Sequence, residues 1–547
     1  MEKLKPKLFS VMKTYTKEQF VKDVVAGIIV AIIALPLSIA LALASGVTPE
    51  KGIYTAIVAG FVISFLGGSR VQIAGPTAAF ATIVAGIVAR NGMDGLVVAT
   101  IMAGILLILM GLFRFGSLIK FMPYTITTGF TAGIAVTIFI GQIKDFLGLT
   151  IVTEEPLVET MDKLKAVGRF IGTINWWAVL IGVICLAILI VWPYLPGFLS
   201  RIPGSLIAVV VSSALVACLD MKVNTIGDLY TISNKLPAFS LPKADFKMIQ
   251  NLLPDAFTIA ILAGIESLLS CVVADSMVNS KHRSNMELVA QGAGNIASAL
   301  FGGIPATGAI ARTAANIKSG GRTPIAGMVH SVTLLLILVV FMPYAALIPM
   351  PAIAAILFMV AYNMCGWREF VHLCKTSPKS DILVLVLTFF LTVVFDLVVA
   401  IEVGMVLAAI LFMKRMSDVT DVEGWRYVTP EEDESDLMEV PKNTLVYEIS
   451  GPMFFGAADK ILKIGVNEST NCLILRMRSV NAIDATAMRN FEKLFETCKK
   501  KNVTLIFSHV GEQPMSIMHK AGFVDLVGDE NFCAHIDAAI ARARELQ

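Results

Sequence analysis

Between Val24 and Met413 one apolar run follows another across mostly short polar connections, and this succession limits the chain more than any other feature. A helix needs about 20 predominantly apolar residues to cross a bilayer, and in lipid every backbone N–H and C=O must be paired internally. Only 16% of the 547 residues are charged, against roughly 25% in soluble proteins, so the apolar runs are not surface helices of a globular domain. The reading is an α-helical polytopic membrane protein. Fourteen spans are expected, starting at 24–44, 53–68, 76–89, 95–113, 122–142, 176–193 and 204–219. The second seven are 254–275, 286–302, 308–318, 324–342, 351–366, 381–397 and 399–413. The spans near 76 and 308 are too short to cross alone. Residues 157–169 read as an amphipathic surface helix, and residues 1–22 as a lysine-rich cytoplasmic leader; no small-residue cleavage site follows the first run.

Short connections on one side collect Arg70, Arg114, Lys120, Arg201, Lys281, Arg283, Lys318, Arg322, Arg368, Lys375, Lys379, Lys414 and Arg415, whereas the opposite ones hold Lys51 and Arg90. Positive residues stay inside, which places both termini in the cytoplasm, in agreement with an even span count. The two sets of seven also echo each other. Gly75-Pro76-Thr77-Ala78-Ala79-Phe80 is similar in character to Ile304-Pro305-Ala306-Thr307-Gly308-Ala309, and Phe121-Met122-Pro123-Tyr124 recurs as Phe341-Met342-Pro343-Tyr344. Seven spans per repeat make the halves inverted, and paired Gly/Pro-interrupted segments at matching positions of inverted repeats point to a transporter's binding site.

The stretch Pro254–Arg322 concentrates the chemistry. It sets Glu266, a scatter of Ser, Thr and Asn, and Arg312 among glycines and prolines inside lipid-class sequence. Ionisable side chains and broken backbone persist at that depth only when buried in protein or lining a cavity. The stretch is read as half of an anion site, with Glu266 as a buried carboxyl able to carry a proton.

Past Arg415 the composition turns polar. An acidic linker spans 417–440, and a small α/β domain spans 441–547, with strands at Thr444–Ile449, Cys472–Arg476 and Val503–Ser508 and helices at Ala457–Ile464, Ala485–Lys499, Pro514–Ala521 and Ala534–Leu546. The eight cysteines show no CxxC and the six histidines no ligand spacing, so neither cofactor nor metal is expected. No basic run with interleaved aromatics suggests nucleic acid as a partner. Gly292-Ala293-Gly294-Asn295-Ile296-Ala297 fits a dinucleotide-binding pattern but has no strand before it, and small-residue helix packing explains it better.

Several of these motifs together resemble the sulfate permease (SulP) family, which includes the eukaryotic anion exchangers and prestin. They are Gly264-Ile265-Glu266-Ser267, Val273-Ala274-Asp275, Ser284-Asn285-Met286-Glu287-Leu288, Leu300-Phe301-Gly302-Gly303, Pro305–Thr313 and Gly320–Pro324, with Asp23, Ala26-Gly27, Leu35-Pro36, Gly52-Ile53-Tyr54 and Gly75-Pro76. The tail resembles that family's cytoplasmic STAS domain. The resemblance implies a seven-plus-seven inverted repeat (about 23–219 and 254–416) with core and gate domains, two half-helices beginning near Thr77 and Gly308, and a homodimer. Carried onto this chain, it implies anion contact by Thr77, Ala78, Ala79, Gly308, Ala309, Ile310 and Arg312. Proton coupling would involve Glu266 and Ser270. Leu37 follows Pro36 where the family commonly has glutamine, leaving Ser38 as that helix's polar group. Thr486 lies where such tails carry a phosphorylatable residue. The expectation is a plasma-membrane transporter of sulfate, then bicarbonate or a dicarboxylate, coupled to protons. The rivals are anion exchange, a nucleobase permease of similar architecture, and a membrane sensor acting through its tail.

Overall fold

The computed structural model describes residues 4–117, 122–152, 159–195, 203–230, 232–242, 245–395, 397–424, 440–466 and 469–547. Lys120, Phe121, Leu157, Arg201 and residues 425–439 of the expected linker lie outside them. The chain divides into two compact units, Met1–Met405 and Val406–Gln547.

In the first unit, the first half contributes α1 (Lys17–Ala44), α2 (Pro49–Leu66), the two-residue strand β1 (Ala74–Gly75), α3 (Ala81–Leu112), α4 (Tyr124–Leu147), α5 (Trp176–Val191) and α6 (Gly204–Cys218). The second half contributes α7 (Phe246–Val278), α8 (Ser284–Leu300), β2 (Thr307–Gly308), α9 (Ile310–Lys318), α10 (Pro324–Phe341), α11 (Met350–Cys365) and α12 (Lys379–Val394), and α13 (Leu397–Val419) runs across the boundary between the two units. Eight helices among the described residues are long and apolar enough to cross a membrane. The spans expected at 76–89 and 95–113 form one element, α3, broken at Gly92. Its φ of 65° and ψ of −169° belong to a region that only glycine enters without strain. Both copies of the recurring tetrapeptide fall between the fourth and fifth apolar segments of their halves: Pro123 caps α4, and Met342 opens the 3₁₀ turn Met342–Leu347 after α10.

Packing sorts these helices into two groups. The core holds α1, α2, α3, α7, α8, α9 and α10, and the gate is built chiefly from α4, α5, α6, α11 and α12. In a bilayer, close backbone approach through small residues replaces the hydrophobic effect as the source of helix association. A Cβ on Gly104 of α3 would lie 2.5 Å from Ile296 Cγ1 and 2.7 Å from the Gly292 carbonyl of α8; one on Gly294 would lie 2.4 Å from Ile63 of α2. The dinucleotide-like motif is therefore a helix-packing face.

Two buried acids staple the core across the halves. Asp23 accepts hydrogen bonds from Tyr15 at 3.0 Å, Gln19 at 2.9 Å, the Arg322 N–H at 2.9 Å and the Thr323 hydroxyl at 2.6 Å. Glu287 accepts from the Gly68 and Ser69 N–H groups at 2.8 and 3.1 Å and from Gln291 at 2.9 Å. At the other end of α7, Asp255 pairs with Arg90 at 3.0 Å. The amphipathic helix is observed at Thr160–Phe170.

The second unit is an α/β sandwich. A five-stranded sheet is ordered β3 (Asp421–Gly424), β4 (Thr444–Ser450), β5 (Cys472–Ser479), β6 (Thr504–Ser508) and β7 (Phe532–Cys533), parallel except for the antiparallel β3–β4 pair. Side-chain alternation feeds both faces. Leu473, Leu475, Leu505 and Phe507 pack against α14 (Ala485–Lys500), α15 (Glu512–Lys520) and α16 (Phe523–Val527). Cys472, Ile474 and Ile506 meet Ile536, Ala539 and Ile540 of α17 (Ile536–Glu545). Two expectations change: Asp421–Gly424, read as linker, is an edge strand, and Ala458–Lys463 is 3₁₀ where an α-helix was expected. β3 pairs its four residues with Tyr447–Ser450, a non-local gain that local acidity hides.

Replacing Gly104 with leucine should force α3 off α8 and cost about 1–3 kcal/mol. An unchanged thermal midpoint for the Gly104→Leu protein in detergent would contradict this packing.

Candidate functional site

The two expected half-helices are present, and their lead-in strands are bonded together. β1 and β2 pair antiparallel, with Ala74 opposite Gly308 and Gly75 opposite Thr307. The Ala309 N–H adds a bond to the Ile73 carbonyl at 2.8 Å. After β1 the chain stays extended through Thr77 (φ −128°, ψ 159°) and winds as a 3₁₀ turn over Ala78–Phe80 into α3. After β2 it stays extended at Ala309 (φ −95°, ψ 110°) and enters α9 at Ile310. Neither Thr77 nor Ala309 caps its helix through its side chain. A helix start leaves its first N–H groups without intrahelical partners and carries a partial positive charge. Two such starts thus flank one two-residue sheet.

Side chains from the neighbouring helices hold this broken backbone. Asn295 of α8 grips Ala306 at both ends, its Oδ1 accepting the N–H at 2.8 Å and its Nδ2 donating to the carbonyl at 2.9 Å. A polar relay runs from α9's lead-in to α7. The Gly308 N–H donates to Ser267 Oγ at 3.0 Å, Ser267 and Thr307 share a 2.6 Å hydroxyl contact, and Thr307 donates to the Ala263 carbonyl at 3.1 Å. Because Thr307 spends its proton on Ala263, Ser267 is the donor between the two hydroxyls. Thr313 accepts the Ile73 N–H at 3.0 Å, and Ser270 lies 3.5 Å from the Thr313 hydroxyl. Thr55 and Ser298 hold Ile304 from either side.

The individual candidates separate into groups. Thr77 donates its hydroxyl to Glu266 Oε2 at 3.0 Å, so the first half-helix lead meets the α7 carboxyl directly. Both residues are half-buried, whereas Ala78 and Ala79 are buried. Gly308 and Ala309 are buried, and the Ile310 side chain is exposed. A Cβ on Gly308 would collide with Gln72, 1.8 Å from its Nε2. Arg312 is only 4% exposed and crosses to the other half-helix, where its Nη2 donates to the Pro76 carbonyl. Its Nη1 is buried beside Gly75 without a hydrogen-bond partner. Ser38 is buried with its hydroxyl unpartnered, its backbone pressed against Gly52 of α2. It makes no hydrogen bond to either half-helix. In the second unit, Thr486 is exposed in the first turn of α14, whose start Asp484 caps through a 2.9 Å bond from the Ala487 N–H.

Sequence reasoning did not single out Asn295, Ser267, Thr307, Thr313 or Gln72 for this site. Ser267 stands between Glu266 and Ser270 on one helix, and this was a legible hint. Asn295 lay within the glycine pattern and could not be assigned to Ala306 without the fold.

An inverted-repeat membrane helix bundle whose two half-helices follow one pair of bonded strands has a transporter fold. Residues 20–388 match the sulfate permease family and residues 437–539 the STAS domain, and the chain belongs to that family of anion transporters. It is 41% identical to YvdB of Bacillus subtilis, which is provisionally named a sulfate transporter, over 96% of this chain and 98% of that one. It is 31% identical to the bicarbonate transporter BicA of Picosynechococcus sp., over 81% and 80% of the two chains. Among solved structures, the murine Solute Carrier 26 family member A9 anion transporter in the inward-facing state shares the fold. Its TM-score is 0.90 at 18% identity, with 99% of this chain and 94% of that one covered. The transmembrane domain of a cyanobacterial BicA aligns with a TM-score of 0.62 at 28% identity, over 72% of this chain and 98% of that one.

Replacing Asn295 with leucine would leave the Ala306 N–H and C=O buried and unpaired. The Asn295→Leu protein should lose at least about 2 kcal/mol of stability. Unfolding in detergent at the wild-type midpoint would show that Asn295 does not hold the crossing.

Proposed function

We propose that this chain is a secondary active transporter carrying a small oxyanion or carboxylate together with a proton, by alternating movement of core against gate. Sulfate is the first candidate, and bicarbonate or a dicarboxylate follows; the names of the relatives point the same way. One observation supports the reading above the others: two half-helix starts without side-chain caps follow one pair of bonded strands, beside the Glu266–Thr77 hydrogen bond. Backbone N–H groups of Thr77, Ala78 and Ala79 on one side, and of Ala309 and Ile310 on the other, supply the anion contact. Of these, the Ala309 N–H is engaged by Ile73 in the structure, so its share requires that bond to yield. Arg312 adds positive potential beside Gly75 and Pro76, with Nη1 uncommitted.

Glu266 takes the coupling role. When protonated, it donates to a neighbouring oxygen and leaves the half-helix starts free to attract the anion. When ionised, it holds Thr77 and adds a repelling charge beside the site. Loading of proton and anion together, and their release together, follows from that exclusion. Ser270 steadies the Thr313 hydroxyl one turn away. The proposed setting is the plasma membrane as a homodimer, with both termini cytoplasmic. Thr486 is proposed as a phosphate acceptor at the exposed start of α14; phosphopeptide mapping that finds it unmodified when transport is regulated would end that part of the reading.

Proteoliposomes loaded with buffer and given an inward proton gradient should take up labelled sulfate. Failure to take up sulfate, bicarbonate and dicarboxylate alike would sink the transporter reading. The Glu266→Gln protein should lose the gradient dependence; gradient-driven uptake at the wild-type rate would remove the coupling role. Arg312→Ala should weaken apparent affinity about tenfold or more. Exchange replaces symport if uptake requires an anion trapped inside and ignores the gradient.

A further inference from the structure

Residues 4–14 do not trail away from the first unit but are laced into the core at the face where α2 and α7 end. The Lys7 N–H donates to the Gly67 carbonyl at 2.8 Å, and Lys7 Nζ donates to the Lys281 carbonyl at 2.8 Å. Arg283 reaches back with Nη1 to the Lys5 carbonyl at 2.7 Å and with Nη2 to Ser10 Oγ at 2.9 Å, while its N–H bonds the Gly68 carbonyl at 3.0 Å. Leu8 and Val11 are buried, and Phe9 meets Phe65 of α2 edge-on with ring centroids 6.1 Å apart. Leader, α2–β1 turn and α7–α8 loop form one surface.

That surface carries more positive than negative charge: at Lys7 the influence of Arg283 and that of Arg70 each exceed the opposing one of Asp275. Lys7, Arg70 and Arg283 converge there, with Lys5 and Lys281 at its rim. Burial lowers the Lys7 ammonium from its ordinary value, and the nearby charges of Arg283 and Arg70 lower it further. The acids within reach are already committed. Asp275 accepts from Ser280 at 2.8 Å and from the His282 N–H and ring at 2.7 and 2.8 Å, and Glu287 is taken by Gly68, Ser69 and Gln291. Arg70 has its Nε buried without a partner. Beside these cations the leader exposes Leu4, Phe9 and Met12, and α2 exposes Phe61 and Phe65. Cations at the ends of transmembrane helices, flanked by exposed apolar side chains, lie at headgroup depth.

We propose that Lys7, Arg70 and Arg283 bind the phosphate of an anionic phospholipid, whose acyl chains lie against Phe61, Phe65 and Phe9. The lipid supplies the missing negative charge and fastens the leader to the loop that ends α7, the helix carrying Glu266. This site depends on membrane insertion of the first unit and not on which anion is transported.

Full-length protein in detergent, titrated with phosphatidylglycerol or with phosphatidylcholine of the same acyl chains, tests it by native mass spectrometry. Wild type should retain phosphatidylglycerol in preference. The K7Q/R70Q protein should lose at least about tenfold in that affinity, since each surface cation contributes of order 1 kcal/mol. Equal retention of phosphatidylglycerol by wild type and variant would overturn the proposal. If the double variant is misfolded, Arg70→Gln alone, which forfeits no bond from the buried Nε, decides by the same readout. Inorganic phosphate that displaces the lipid and binds as tightly would assign the cations to a soluble anion and equally overturn the lipid site.

Discussion

The antiparallel contact between Ala74-Gly75 and Thr307-Gly308 is the joint on which the first unit depends. A membrane-embedded chain that stops being helical exposes N–H and C=O groups, each costing several kcal/mol if left unpaired in lipid. Here the two interruptions satisfy each other, and side chains from packed helices take the remainder: Asn295 on Ala306, Thr55 and Ser298 on Ile304, Ser267 on Gly308. The interruptions are therefore mutually dependent, and neither half of the core has a satisfied centre alone. This explains why so many buried polar residues are tolerated in a chain of this hydropathy. Those around the crossing are spent on backbone.

Charge within the core follows a second rule. Asp23 and Glu287 lie near the ends of helices and accept three or more hydrogen bonds each. Glu266, near the crossing, accepts one, from Thr77. A carboxyl saturated with donors is a structural staple, and one with spare capacity in a half-buried setting can change state. Arg312 shows a similar division within one side chain, with Nη2 committed to Pro76 and Nη1 uncommitted. The core thus separates groups that hold the fold from groups with room to act.

Much of this was legible in the sequence because hydropathy period and glycine/proline punctuation are local. The helix order and the short Gly/Pro-interrupted segments came from that level, where Glu266 also stood out as the acid in the middle of its span; the half-helix starts near Thr77 and Gly308 came from the family resemblance. What escaped was non-local. Asp421–Gly424 looked like acidic tether because its partner strand is more than twenty residues away. Asn295 looked like helix packing because Ala306 becomes its partner only when the chain turns back after α8. Arg312 stands out in the sequence as a cation inside an apolar stretch, yet its reach to the Pro76 carbonyl depends on a crossing that joins residues 236 positions apart. Ser38 was chosen from its place beside Pro36; burial against Gly52 is a matter of how α1 meets α2.

The recognition surface proposed above, made of main chain, has an evolutionary corollary. Point substitution cannot delete a peptide N–H, except by proline, so the half-helix starts are insulated from the ordinary drift that remodels side-chain pockets. Divergence in what such a protein accepts must then come from its surroundings: the bulk that limits how near an ion comes, as at Gly308 against Gln72, and the background potential set by residues such as Arg312. Descendants of one ancestor could keep this crossing almost untouched while exchanging one cargo for another.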